Sequence, residues 1–152
     1  MSFQDLYKQQ RYLDCEKLCR ETLTREKGNL DAYMFLIKSL ENLGELTAAV
    51  KECDLAIKLC HDTSHQAEFL HLKSVLLVKS SELKKATQSY RAALQKDPER
   101  AATWLLLASC QFELNQFKDC EKSVVEVLKR AERLPSAAMG RALYLLSQSR
   151  EH

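Results

Sequence analysis

The side chains with the most reactive chemistry in this sequence are six cysteines, Cys15, Cys19, Cys53, Cys60, Cys110 and Cys120, and four histidines, His61, His65, His71 and His152. Cys15 and Cys19 stand four apart, which places two thiolates on one face of a helix. A closed zinc site takes four ligands, however, and no second pair follows at a useful interval. Cys60 beside His61 puts a thiol next to a base, but neighbouring residues on a helix point in different directions and make a poor nucleophilic dyad. No Gly-rich phosphate loop, HExxH, GxSxG or Walker motif is present. The expectation is a chain without enzymatic activity, metal or cofactor. Its cysteines read as buried thiols, the habit of free cysteine, with Cys60 the one expected to be exposed.

Composition limits what can position these residues. The 152 residues include three Gly and two Pro, are 45% hydrophobic and 29% charged, and contain no apolar run near the roughly 18 residues that cross a bilayer. A chain of this length buries roughly 68 to 70% of its unfolded surface, enough to fold without a disulfide or metal. A formal charge of +2 announces neither nucleic acid nor an anionic membrane as partner. By segment the charge is +1 over residues 1–29, −3 over 30–63, +3 over 64–100, 0 over 101–134 and +1 in the tail. The cluster Lys79, Lys84 and Lys85 reads as a solvated edge. The N-terminus lacks the apolar core of a secretory signal, so a cytoplasmic address is expected, with the nucleus as the alternative.

A period is the dominant signal. Ala49, Cys53, Ala56 and Ile57 recur as Ala86, Tyr90, Ala93 and Leu94, and again as Cys120, Val124, Val127 and Leu128, with a degenerate copy in Cys15, Cys19, Thr22 and Leu23. The spacing i, i+4, i+7, i+8 marks the buried stripe of a helix. Upstream of each stripe runs another helical set: Tyr33, Leu36, Ile37 and Leu40; Leu70, Lys73, Ser74 and Leu77; Trp104, Leu107 and Ala108 with Gln111 and Phe112; then, more weakly, Ala138, Arg141, Ala142 and Leu145. Between them lie Gly44-Glu45, Ser81-Glu82 and Asn115-Gln116, where a tight turn wants a residue tolerant of positive φ. Asn29 is placed to cap one helix, Asp97-Pro98 to cap and start another, and Thr63 or Ser64 to cap the helix after the one longer junction. The pattern predicts helices near 3–9, 12–26, 30–42, 46–61, 65–79, 83–96, 99–114, 117–132 and 136–149, arranged as hairpins, with no strand and no second domain.

These residues resemble the tetratricopeptide repeat, whose unit of about 34 residues carries W-x2-L-G-x2-Y, then A-x3-F, then P. Residues 101–134 match best, through Trp104-x2-Leu107-Ala108, Phe117, Cys120-x3-Val124 and Val127-Leu128. Residues 67–100 follow with Lys73 in place of Leu, and residues 30–63 with His61 in place of Pro. Residues 1–29 form a partial copy, and 136–149 a terminal helix. The resemblance covers nearly the whole chain and implies an all-α, right-handed superhelical solenoid over residues 1–152, in which each hairpin buries its stripe on the next and a concave groove results.

The resemblance further implies that first helices line the groove. The matching places hold Met34, Phe35 and Lys38; His71, Leu72, Val75 and Lys79; Leu105, Leu106 and Ser109. Family members that grip a chaperone's C-terminal tail use Lys, Asn and Arg where this chain has Met34, Leu72 and Leu106, with Lys38 in an Asn place, so a chaperone tail is disfavoured. The expected function is a scaffold or adaptor that holds a peptide or helix of a partner protein. The competing expectation is a segment of a larger scaffold, or a self-associating subunit, whose terminal helix makes contact through Leu143 and Leu146. A terminal element should be polar outside, yet Leu143, Tyr144, Leu145 and Leu146 run in succession.

Overall fold

The structure, a computed structural model, describes residues 1–152 apart from the side chain of Ala131. Its elements run α1 (Phe3–Lys8), α2 (Tyr12–Arg25), α3 (Leu30–Asn42), α4 (Leu46–Leu59), α5 (Thr63–Lys79), α6 (Leu83–Lys96), α7 (Ala101–Glu113), α8 (Phe117–Lys129), a 3-10 turn (Ala131–Arg133) and α9 (Ser136–Arg150). The fold is an all-α solenoid: α1–α2, α3–α4, α5–α6 and α7–α8 are hairpins, and α9 stands in the place of a fifth first helix.

The hairpin turns repeat one device. Gln10, Gly44, Ser81 and Asn115 take φ of 60°, 80°, 63° and 62°, the left-handed region. In each case the next amide reaches back to the carbonyl of the helix's last turn: Arg11 to Leu6, Glu45 to Leu40, Glu82 to Leu77 and Gln116 to Gln111. This is the Schellman closure, in which two orphaned carbonyls are satisfied while the chain reverses. Gly adopts the left-handed place freely and Asn tolerates it, whereas Gln10 and Ser81 hold it against their own Cβ.

Starts of helices depart from expectation in two places. Asp62, rather than Thr63 or Ser64, caps α5, accepting from the His65 amide at 2.7 Å. Asp97 closes α6 instead of opening α7, which begins at Ala101 after Arg100 without a side-chain cap. Between them the Asp97 carboxylate accepts from the Glu99 amide, and Trp104 donates to the Pro98 carbonyl at 2.8 Å. The two helices need those extra residues to change direction, so Pro98 serves the junction rather than the first turn.

The small residues of the second helices explain the close packing. Cys15, Cys19, Ala49, Cys53, Ala56, Ala86, Cys120, Val124 and Val127 have no exposed surface. Compact side chains along one stripe let neighbouring helices approach while long residues of the first helices, Leu36, Ile37 and Leu76, fill the interior. Cys60, expected to be exposed, is 5% exposed and joins the same core as Cys53. It lies where α4 gives way to α5, and its carbonyl accepts from the Gln66 side chain, so this junction is covered rather than open.

Candidate interaction groove

The first helices α3, α5, α7 and α9 carry one face of the solenoid. Along it, neighbouring first helices meet at a repeated seam. Met34 of α3 and Phe69 of α5 belong to one apolar cluster. His71 of α5 bonds the Thr103 hydroxyl of α7 at 2.9 Å. Leu105 of α7 shares a cluster with Ala138 of α9. The sequence places Met34, His71 and Leu105 equally in the groove. Leu105 is only 7% exposed, because α9 covers it, so it is core and not free lining.

His71 is also held by an edge-on contact with Tyr90, ring centres 5.7 Å apart. Burial, reinforced by the nearby Arg100 charge, pushes its pKa down to about 4, so at neutral pH the ring is uncharged. Phe35 is packed on by Phe3 and Tyr7 of α1, with centroids at 5.6 and 5.5 Å, and Lys38 sits 5.7 Å above its ring. The amino-terminal helix thus closes that end of the groove. Leu72, Val75 and Leu106 remain partly exposed, as do Met34 and Ser109. At the rim Lys79 pairs with Glu41 at 2.7 Å, joining α5 to α3. The Lys79 arm is exposed while the Glu41 side chain is largely covered, so solvent screens the pair from one side only.

Sequence reasoning misses the contribution of α9 to this face. Arg141 donates to the Ser109 hydroxyl at 3.4 Å, so α9 continues the groove beyond α7. Tyr144, one turn further on and 61% exposed, is a large aromatic to which the sequence pattern assigns no groove place. The sequence register sets Ala138, Arg141, Ala142 and Leu145 against Trp104, Leu107, Ala108 and Gln111 and so carries Ser109 onto Leu143. In the structure Ala142 and Leu145 are buried where α7 buries Leu107 and Cys110, a register one residue longer that carries Ser109 onto Tyr144. Leu143 is 52% exposed, while Leu146 is half-buried against the cluster of Leu105 and Ala142. The two residues expected to act together in self-association are therefore unequal.

The opposite side of the solenoid holds two clefts at matching register. One, of about 890 Å³, lies between α4 and α6 over Leu70, Lys73 and Leu77. The other, of about 540 Å³, lies between α6 and α8 over Trp104, Leu107 and Gln111. Ion pairs tie their sides, Lys73 to Asp54 at 2.8 Å and Arg91 to Asp119 at 3.9 Å. These are gaps between successive second helices.

Reactive chemistry is muted throughout. All six thiols are buried and free. Burial pushes Cys53 up to about 12 and Cys110 up to about 11, and raises Cys19, Cys60 and Cys120 as well. A thiol so held is a poor nucleophile. Among the described residues no three His, Cys, Asp or Glu side chains gather as a metal site, and no helix is long and apolar enough to cross a membrane.

Comparison with known proteins follows the same architecture. The tetratricopeptide repeat family model matches residues 77–146. No curated protein matches the sequence. Among solved structures, a tetratricopeptide repeat protein from Parabacteroides merdae is similar over 98% of this chain and 57% of its own, with 16% identity and a TM-score of 0.83. YrrB, described as a TPR protein with an unusual peptide-binding site, is similar over 97% of this chain and 72% of its own, with 11% identity and a TM-score of 0.76. The TPR2B domain of yeast Sti1, solved as a complex with pHsp70, is similar over 80% of this chain and 96% of its own, with 16% identity and a TM-score of 0.70. At these identities the likeness is one of fold.

Proposed function

We propose, from the premise that this chain belongs to the tetratricopeptide repeat family through residues 77–146 and carries its fold throughout, that it is a protein-interaction module without catalytic activity. Residues 1–152 act as one unit that takes a peptide or helix of a partner protein along α3, α5, α7 and α9. The observation that carries this reading is the strip of partly exposed apolar side chains, Met34, Leu72, Val75 and Leu106, continued by Tyr144 and bordered by the Lys79–Glu41 pair. Apolar floor with polar border is the composition of a surface that buries side-chain anchors and orients them by hydrogen bonds.

The same residues speak against a tail carboxylate as ligand. A carboxylate clamp needs converging cations and amides, and Met34, Leu72 and Leu106 offer none. Catalysis is disfavoured because His71 is engaged by Thr103 and the cysteines are buried. The likeness to YrrB and Sti1 supports an interaction role by analogy of fold.

A displayed peptide library panned against the native chain tests the proposal. Enriched peptides should bind Leu72→Asp and Tyr144→Ala at least tenfold more weakly. The second variant guards against loss of fold, since Tyr144 is exposed. Peptides that bind both variants as well as the native chain, or a library that yields none, would remove the groove as the binding site.

A further inference from the structure

The chain passes from a second helix to the next first helix through residues 26–29, 60–62, 97–100 and 130–135. The last crossing is the longest, and α9 begins at Ser136 directly after it. Its backbone is lightly held. A 3-10 turn closes from the Arg133 amide to the Arg130 carbonyl, Pro135 is extended with φ of −67° and ψ of 158°, and the first turn of α9 has no side-chain cap. Leu134 anchors the crossing, partly buried against the cluster of Leu105 and Val124. A segment held by so few bonds opens locally without unfolding the hairpins beside it.

The crossing ends in Arg133, Leu134, Pro135 and Ser136, which sets a hydroxyl three residues after an arginine. Two other hydroxyls of the chain stand three residues after a lysine or arginine, Thr87 after Lys84 and Thr103 after Arg100. Both are closed to an enzyme. Thr87 is buried within α6 and donates to the Lys84 carbonyl at 2.7 Å, and Thr103 is buried within α7 and bonds His71. Ser136 is exposed, as are Pro135 and Ala137 on either side of it. The arginine is accessible too: the Arg133 guanidinium projects over half into solvent and is held by the equally exposed Glu99, at 3.2 Å from its carboxylate and 3.3 Å from its carbonyl. An ion pair between two exposed arms is weak, so carboxylates of another protein can take Arg133 from Glu99.

We propose that Ser136 is a phosphorylation site for a protein kinase that reads Arg133 through carboxylates in its substrate cleft. The Ser136 Oγ attacks the γ-phosphorus of ATP, the bond from that phosphorus to the bridging oxygen of the β-phosphate breaks, ADP leaves, and the hydroxyl proton passes to the base of the kinase. An arginine suits such a cleft because its guanidinium pairs with carboxylates through two parallel hydrogen bonds. The extended backbone at Pro135 already presents the residues before the acceptor as a strand. The phosphoserine carries a charge of about −1.5 to −2 at pH 7. It stands in the first turn of α9, where the helix dipole favours negative charge, and it competes with Glu99 for Arg133. The same helix carries Arg141 and Tyr144 and covers Leu105, so the added charge falls at the groove's α9 end. The proposal is independent of what the groove binds.

Incubation of the folded native chain with ATP, magnesium and the catalytic subunit of cyclic-AMP-dependent protein kinase, an arginine-reading kinase, tests the proposal. Proteolysis and mass measurement of the phosphopeptides locate the phosphate. The expected result is one phosphate, on Ser136, with Thr87 and Thr103 unmodified. Ser136→Ala should abolish incorporation. Arg133→Ala should lower kcat/KM for phosphorylation at least about tenfold, the loss of a charged hydrogen-bonded pair. Both substitutions lie at exposed side chains, and circular dichroism reads their helix content beside the native chain. Absence of incorporation, phosphate at another residue in place of Ser136, or an Arg133→Ala chain modified as efficiently as the native one overturns the proposal.

Discussion

α7 and α9 occupy the same place in successive repeats, and one is enclosed where the other is half bare. Leu107 of α7 lies in the core at 2% exposure, and its neighbours on the adjoining side are covered by α8. α9 has the inner contacts, Ala142 and Leu145, and presents Leu143 to solvent. Apolar residues along a helix therefore mark sides that pack in the repeat plan, and the number of neighbours present decides how many of those sides hold the fold together. In a solenoid that number falls at the ends. The sharpest test is a pair of truncations. Leu107→Ala should cost about 2 to 5 kcal/mol, through lost burial and an unfilled cavity. Leu143→Ala should stay within about 0.5 kcal/mol, as an exposed substitution does. Urea unfolding followed by circular dichroism reads both, and equal losses would mean that α9 is as enclosed as α7.

The seams between first helices sharpen the contrast. His71–Thr103 joins α5 to α7, while the corresponding place between α7 and α9 is Leu105 with Ala138. One seam titrates and the other does not. The folded pKa of His71 is about 4, below the usual 6.5, so below pH 6.5 the unfolded chain binds the proton first and stability falls as pH drops toward 4. The loss approaches about 3 kcal/mol across that window, since each tenfold difference in proton affinity between the folded and unfolded chain is worth about 1.4 kcal/mol. His65 shifts in the opposite sense beside Asp62 and is fully exposed, so solvent screens its effect. His71→Leu should flatten the pH dependence of the urea midpoint between 6.5 and 4. A slope that survives this variant would trace to other groups.

A polar contact distinguishes the second side of the two helices as well. Gln111, buried, accepts from Ser123 at 2.6 Å, and the matching place on α9 is Leu146. Gln111→Leu leaves the Ser123 hydroxyl without its acceptor and should cost about 1 to 3 kcal/mol. Adding Ser123→Ala should recover most of the loss, because both polar groups are then gone. Leu146→Gln on the half-bare α9 should change the midpoint less than Gln111→Leu does. A larger change at Leu146 would show that this side of α9 is already occupied.

The helices and their buried stripes are legible in the sequence because period is a property of the chain itself. Ala49, Cys53 and Ala56 announce a packed face wherever the solenoid places them. Leu105 is not legible as core: its groove position follows from repeat register, but its cover depends on α9, a tertiary fact. Cys60 escapes the sequence for the same reason, since a junction residue is exposed or buried according to how the next helix returns. Asp-Pro suits a helix start and so predicts Asp97 at the opening of α7, while the structure uses Asp97 to close α6. The contribution of Tyr144 to the groove face is not legible either: carrying the 34-residue register one repeat further gives Leu143, and the one-residue shift that brings Tyr144 there is set by how the chain returns between α8 and α9. Nor is the chemistry of a partner, because a groove of Met, Leu and Val specifies shape before it specifies sequence.

The smallest expected effect lies in the turns of the interior hairpins. Gly44, Ser81 and Asn115 all reverse the chain through positive φ. Ser81 holds that conformation at a cost of roughly 1 to 2 kcal/mol, since its Cβ crowds the following carbonyl. Ser81→Gly removes the clash but makes the unfolded chain more flexible, an offset of roughly 0.4 to 1 kcal/mol. The net gain should be about 0.5 to 1 kcal/mol, read as a higher urea midpoint at unchanged slope. Gly44→Ala should move the midpoint the other way by a similar amount, because it installs at one turn the Cβ that Ser81→Gly removes at another. Opposite signs at the two turns would identify backbone conformation as the cause; a loss at both would place the contribution of Ser81 in its side chain instead.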